Sequence, residues 1–558
     1  MCPNKIKSLQ AYSWWTDSLI LIIACSGLFF ILLGTRPLFV PDEGRYAEIA
    51  REMFVRNDFI TPYLNGIKYF EKPALFYWLG ALAIKMGGVN IWSLRCINAL
   101  FATAGALLTY LTIRKIYDRI TGLIAASVLS TSLLYFTMAR MVSLDLPVTF
   151  FLMSCLYSFL LAIHEANAAK QRSLFWLAAA SAGLAVLTKG LIGIVFPLLI
   201  ISTWIMILGE WRLIKKLPIF SSIAIFLLIT APWHLLVSLK NPEFFYFYFI
   251  EQHFLRYTTK EVGHYQPVWF FIPVLFLSFF PWIVFLPQAI KKSFAWTDRK
   301  NYQTEIFLLL WASLIFLFFS FSKSKLIPYI LPVIPPLAIL TARYLAVANT
   351  IKNRLAIRIS YIILLIFACG VSFILYSFTH NNALPDAHQA KLYFDIASII
   401  LQTGIFFAAV FSFENLIASL IISIITIYIF LLTLTAGIPA IDNRTILPLA
   451  HTLQSILKPN DEVITFNQYY QDLPFYLERR ITILNWRNEM SYGMQHQDTS
   501  DWMINDTTFW NRWHSAKQVY VILSQDEYLK LRKRYPNKKF YVLDQTITNI
   551  LITNHAEQ

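Results

Sequence analysis

Runs of 16 or more residues free of Asp, Glu, Lys and Arg recur along most of the chain, separated by short polar segments. A membrane helix needs about 20 mostly apolar residues to cross the hydrocarbon, so the pattern predicts thirteen spans. They centre on 19–35, 96–113, 120–139, 146–163, 173–188, 190–208, 217–239, 268–290, 306–322, 326–342, 359–379, 396–413 and 415–437. The fifth and sixth runs, separated only by Lys189, also fit a re-entrant pair. After residue 437 the texture changes. Short apolar runs at 463–466, 481–484, 519–523 and 540–543 alternate with polar helical stretches such as 526–534, a pattern that predicts a small α/β domain. The expected organisation is therefore a polytopic α-helical membrane domain over 1–437 and an α/β domain over 438–558.

The basic residues orient the spans. Lys5 and Lys7, Arg114 with Lys115 and Arg119, Lys170 with Arg172, and Arg212 with Lys215 and Lys216 occupy alternate loops. Lys291, Lys292, Arg299 and Lys300, then Lys352, Arg354 and Arg358, continue the series on the same side. The positive-inside rule makes this side cytoplasmic and places the C-terminus outside. The first span lacks a small-residue cleavage site after it and reads as a retained anchor.

Composition agrees with that class. Hydrophobic residues make up 57% of the 558 and charged residues 14%, with a mean hydropathy of +0.55. The net charge of +15 is explained by a cytoplasmic rim facing anionic lipid headgroups and calls for no nucleic acid. Cys2, Cys25, Cys96, Cys155 and Cys369 have no paired spacing, and none lies in the exterior domain, so a disulfide framework is excluded there. The C-terminal domain carries no Gly-rich phosphate loop and no metal-ligand spacing, which favours a covering or structural role over a second catalytic centre.

The candidate chemistry lies in outer segments. The loop at 36–92 opens with Arg36-Pro37 and Asp42-Glu43-Gly44-Arg45-Tyr46-Ala47-Glu48. Carboxylates beside cations at the bilayer edge can stay paired and half-solvated, as a site for a phosphate-bearing lipid or a sugar requires; a solvated loop with an Asp helix cap is the plainer alternative. Phe70-Glu71-Lys72-Pro73, set among aromatics, fits an interfacial amphipathic helix, on which Glu71 and Lys72 would diverge by about 100°. Asp145 begins the fourth span and would by itself serve as a helix cap. Lys189 either snorkels to the surface or holds a phosphate. The outer loop at 240–267 holds His253, Arg256 and His264, available for metal ligation or phosphate pairing.

Taken in order, Asp42-Glu43-Gly44-Arg45-Tyr46-Ala47-Glu48, Phe70-Glu71-Lys72-Pro73, Arg140-Met141 with Asp145, Thr188-Lys189-Gly190, His253-Phe254-Leu255-Arg256 and Ser324-Lys325-Leu326-Ile327-Pro328-Tyr329 resemble the bacterial lipid A 4-amino-4-deoxy-L-arabinose transferases. These are GT-C glycosyltransferases that use polyprenyl-phosphate sugars and are related to protein O-mannosyltransferases. The resemblance covers about residues 36–345 and fades in the last 120. It implies thirteen transmembrane helices and a C-terminal periplasmic domain in the bacterial inner membrane. It also implies Asp42 as principal catalytic carboxylate, Asp145 as second acid, and Lys72 on the donor phosphate. Arg45, Tyr46, Lys189, Arg256 and Tyr329 become cavity or phosphate positions. Glu71 and His264 match positions that hold zinc, the one cofactor implied; no nucleotide cofactor is expected. The donor would be an undecaprenyl-phosphate-linked aminosugar and the acceptor a lipid A phosphate. Another sugar or a protein hydroxyl is the alternative within the superfamily. A lipid or solute transporter is the rival outside it, opposed by charges that gather at span ends instead of mid-membrane and by the absence of an obvious internal repeat.

Overall fold

The computed structural model describes residues 13–255, 265–293, 299, 301–348, 354–380, 387–441 and 445–556. Because hydrocarbon offers the backbone no partners, every apolar run must satisfy its own amides, and each expected span is indeed helical. Eight helices are long and apolar enough to cross: Ile91–Ile116, Asp145–Ile163, Ile219–Lys240, Gln303–Phe321, Ile327–Val347, Arg354–His380, Ala390–Phe411 and Leu416–Ile441. Two bent pairs raise the number to ten, Arg119–Thr131 with Leu133–Ala139 at 67° and Val268–Ser278 with Trp282–Ser293 at 104°. The expected count of thirteen is thus not reached by length and apolarity. The helices at its other three positions are the shorter Trp14–Phe30 and Ile192–Leu208 and the alanine-rich Ala168–Lys189.

The bends also differ from expectation, falling in the third and eighth spans and not between the fifth and sixth. They support each other. The Leu133 amide donates to the Phe280 carbonyl at 3.2 Å and Trp282 Nε1 donates to Thr131 Oγ1 at 3.0 Å. The first bond gives the Leu133 amide an acceptor across its break, and the second ties the two bent spans together through their side chains.

The first outer segment folds as the helix Asp42–Arg56, the hairpin of β1 (Tyr63–Leu64) and β2 (Ile67–Lys68), and the helix Leu75–Gly87. Glu71 and Lys72 lie on the bend before the last of these and not on a helix. Pro73 disfavours helical backbone at the residue before it, so the helix starts only at Leu75 and the expected helical divergence of the two side chains does not apply.

The C-terminal part is an α/β unit around a six-stranded sheet, with β3 (Glu462–Phe466), β4 (Thr482–Leu484), β5 (Met503–Ile504), β6 (Val519–Ser524), β7 (Tyr541–Gln545) and β8 (Asn549–Thr553). Their order is β5-β4-β3-β6-β8-β7, parallel from β5 to β6 and antiparallel where β8 joins β6 and β7. Two strands were not expected from the pattern, β5 and β8. The helix Gln525–Arg534 starts where the Ser524 hydroxyl accepts from the Glu527 amide, with acids in its first turn and bases in its last, as the helix dipole favours.

This unit does not hang free. One apolar cluster runs from Leu38, Ala47 and Met53 of the first outer segment through Leu94 to Leu473, Ile483 and Ile522 of the sheet layer. A Cβ on Gly44 would lie 2.6 Å from the Asp472 backbone nitrogen, so the Asp42–Arg56 helix approaches the C-terminal domain at a distance only glycine permits. Asn65 exchanges two hydrogen bonds with the Ile481 backbone, and Arg51 donates to the Glu478 carbonyl at 3.1 Å.

Candidate functional site

Glu43 explains how the outer segment is fixed. Its sealed carboxylate accepts from Arg36 at 2.6 Å, from Arg95 at 2.8 and 2.9 Å, and from the Phe39 and Val142 amides at 2.8 Å. Arg95 also donates to the Leu33, Arg36 and Pro37 carbonyls. Burial alone would push the Glu43 carboxyl up; the two guanidiniums overcome it and hold the pKa at about 2. This network nails the start of the Asp42–Arg56 helix to the helix Ile91–Ile116 and to the turn before Asp145. Arg140 fixes the same corner by donating to the Leu28, Phe29 and Ile31 carbonyls, which end the first span.

Asp42, one residue earlier, is different. It occupies the first turn of its helix with no capping hydrogen bond, leaves 46% of its side chain exposed, and meets Arg45 at 3.5 Å. Arg45 Nη2 turns to the Glu489 carboxylate at 2.6 Å, brought from the C-terminal domain, and Gln471 donates to the other Glu489 oxygen at 3.1 Å. Burial pushes the Glu489 carboxyl up, with Arg45 and Gln471 opposing and Glu71 and Asp42 adding to the rise. Glu71 therefore belongs to the same charge cluster, as do Tyr69 and Tyr77, which both respond to Arg45 and Glu71.

The second acid stands at the start of Asp145–Ile163. It does not act as a helix cap, since Leu144 holds that position. Instead the Ser143 hydroxyl donates to Asp145 Oδ2 at 2.9 Å, and Lys189 forms an ion pair with Oδ1. Lys189 ends the helix Ala168–Lys189 just before Gly190, whose φ of +95° lets the chain turn sharply. Its ammonium also sits 5.0 Å from the Tyr329 ring centroid, and that ring packs on Phe319. Tyr46 links the two acids: burial first, then Asp42 and, more weakly, Asp145 push its phenol well above its ordinary range. The structure thus brings Asp42, Arg45, Tyr46, Glu71, Asp145, Lys189 and Tyr329 into two adjoining clusters at one end of the helices.

Lys72 lies half-buried on the bend next to Glu71. Arg256 and His264 lie outside the described residues. Among the described residues no group of three His, Cys, Asp or Glu side chains is placed to hold a metal, and Glu71 faces the Arg45 guanidinium, a poor neighbour for a cation. Sequence reasoning missed Glu489, Gln471 and Arg95. Only Arg95, an arginine at the edge of an apolar run, carried a signal.

Comparisons with known proteins place the chain among glycosyltransferases. The family model for dolichyl-phosphate-mannose-protein mannosyltransferase matches residues 16–248, and that for the aminoarabinose transferase C-terminal domain matches residues 449–554. The chain is 30% identical over 503 residues to the undecaprenyl phosphate-α-4-amino-4-deoxy-L-arabinose arabinosyl transferase of Pectobacterium carotovorum subsp. carotovorum, covering 88% of this chain and 89% of the relative. The counterpart from Proteus mirabilis is 29% identical over 543 residues, 94% of this chain and 92% of the relative. Among solved structures, ArnT from Cupriavidus metallidurans bound to undecaprenyl phosphate superposes with a TM-score of 0.87 at 26% identity, covering 96% and 98% of the two chains. The archaeal oligosaccharyltransferase AglB from Archaeoglobus fulgidus shares the fold, with a TM-score of 0.52 at 13% identity over 95% of this chain and 73% of its own.

Proposed function

The chain belongs to the undecaprenyl phosphate-α-4-amino-4-deoxy-L-arabinose arabinosyl transferase family, and on that premise we propose that it moves this aminosugar from undecaprenyl phosphate to a lipid A phosphate at the periplasmic face of the inner membrane. It is a multi-pass membrane glycosyltransferase served by a polyprenyl-phosphate sugar. The observation that carries the reading is the pairing of a half-open Asp42 with the Asp145–Lys189 ion pair across Tyr46.

The chemistry follows from charge. Transfer breaks the bond between the anomeric carbon and the donor phosphate oxygen and forms one from that carbon to an acceptor phosphate oxygen. The departing undecaprenyl phosphate gains negative charge, which Lys72 and Lys189 would meet in a site where water is scarce. The anomeric carbon gains positive character, which the exposed Asp42 carboxylate would stabilise while orienting the sugar. An acceptor phosphate is already anionic, so no strong base is required. A hydroxyl acceptor would instead demand that Asp42 remove a proton. Zinc at Glu71 and His264 enters as a quantity to measure: metal analysis of the purified protein, with Glu71→Ala as control, decides it.

Mass spectrometry of lipid A from cells with and without the gene tests the reading. A mass increment of one aminopentose on a lipid A phosphate, present only with the gene, is the expected result. Unmodified lipid A together with sugar on a protein would overturn it in favour of a hydroxyl acceptor.

A further inference from the structure

The helix Asp145–Ile163 leads away from the catalytic end. Its 19 residues span about 28 Å at the usual helical rise, and it closes with His164 Nε2 at 3.2 Å from Thr304 Oγ1. Next to Thr304, at this far end, the helices Leu286–Ser293, Gln303–Phe321 and Ile334–Ala348 enclose a cavity of about 440 Å³. Its lining includes Lys292, Tyr302, Glu305, Arg343 and Tyr344.

Two donors lining the cavity lack acceptors. Lys292 Nζ and Tyr344 Oη are each sealed from solvent with no hydrogen-bond partner among the described residues. Tyr117 lies under the Arg343 guanidinium, 4.4 Å from its ring centroid, and Arg343 reaches Glu305 only at 3.8 Å. Two cations and one carboxylate leave the cavity with an excess positive charge. Unpaired buried donors are costly and mark the place of an absent partner; these require one rich in acceptor oxygens and negatively charged.

We propose that this cavity binds a phosphate group, with Lys292 and Tyr344 donating to its oxygens and Arg343 supplying the second positive charge. A basic pocket between span ends on the face crowded with Lys291 and Arg299 is suited to an anionic phospholipid headgroup, and the same oxygens are offered by a soluble phosphate monoester. The site lies at the end of the helix Asp145–Ile163 opposite to Asp145 and is separate from the donor's.

The test uses the full chain purified in detergent, with melting temperature as the readout. Short-chain phosphatidylglycerol should raise the melting temperature in a saturable way, and phosphatidylcholine with the same acyl chains should not. Lys292→Gln should weaken the phosphatidylglycerol response by about tenfold or more in midpoint concentration, as expected for a charged hydrogen bond. Tyr344→Phe should weaken it less, and Lys292→Arg should keep it. A response to glycerol 3-phosphate equal to the lipid's assigns the site to a soluble phosphate; a response to the lipid alone assigns it to the headgroup. No response to either phosphate, an equal response to phosphatidylcholine, or an unchanged midpoint in both Lys292→Gln and Tyr344→Phe overturns the proposal.

Discussion

Arg45 and Glu489 meet at 2.6 Å although one stands on the first helix outside the membrane and the other in the middle of the C-terminal domain. Both side chains are largely buried, so neither can be removed without leaving an uncompensated charge. Breaking a buried pair in this way costs about 3–5 kcal/mol. Glu489→Ala should therefore lower the melting temperature and depress transfer, and Glu489→Gln should recover more of the first than of the second. Thermal melts and transfer kinetics on the purified variants separate the two. Transfer at the normal rate in both would exclude a role for the pair in arranging the site.

The neighbours Asp42 and Glu43 should respond in opposite ways. Asp42→Asn should express and melt like the parent while losing transfer by about a hundredfold or more, the scale of an oriented charge in a dry site. Glu43→Gln should instead lose stability, because it leaves Arg95 and Arg36 buried without their shared carboxylate. Expression level, melting temperature and turnover measured side by side decide this. A well-folded Asp42→Asn with near-normal turnover would remove Asp42 from the chemistry.

Acid should expose the Glu43 anchor. Its carboxyl is held at about 2, below its ordinary 4.5, so its contribution is complete above about pH 4.5 and is lost as pH falls towards 2. That contribution is about 3 kcal/mol by the size of the shift. The difference in melting temperature between parent and Glu43→Gln should be constant from pH 7 to about 5 and should shrink below that. A difference that grows on acidification would contradict the assignment of the charged form.

Orientation is open to reporter fusions. A reporter joined after residue 440 should be active outside the cytoplasm, and one joined at residue 295 inside it, from the run of Lys and Arg in alternate loops. A cytoplasmic signal at residue 440 would place the C-terminal domain and the Asp42 cluster on the wrong side for a periplasmic acceptor.

Helical spans were readable because the bilayer imposes composition directly: a run such as 359–379 has no alternative way to satisfy its backbone. Ala168–Lys189 fell short by apolarity because Lys170, Gln171, Arg172 and Lys189 weigh against its alanine-rich middle, although the helix is there. Strand β8 was missed for another reason. Asn549–Thr553 carries a local strand signal in its largely β-branched run Ile550-Leu551-Ile552-Thr553 that the pattern reading did not use, and its pairing with β6 and β7 is set by distant chain. At the site, Asp42, Asp145 and Lys189 stood out because charge at a span end is unusual. Glu489 is an acid in a polar domain, and only tertiary approach gives it a role. The basic rim was legible as charge and illegible as architecture: Arg114 and Arg119 converge on the buried Asp17 and so fasten the first span.

The close fit of Gly44 against Asp472, together with the bonds from Asn65 and Arg51 to the C-terminal backbone, bears on the order in which the protein is made. Asp42, Arg45 and Tyr46 leave the ribosome among the first residues, but Glu489 follows only after every span has been inserted. Arg45 therefore spends most of synthesis without Glu489, its shortest ion-pair partner, and the outer helix without the surface that covers Gly44. A chain released early holds the acids and lysines of the site yet lacks the part that completes their arrangement. Competence for transfer is in this sense a late property, acquired when the last stretch of chain has folded and closed over the first.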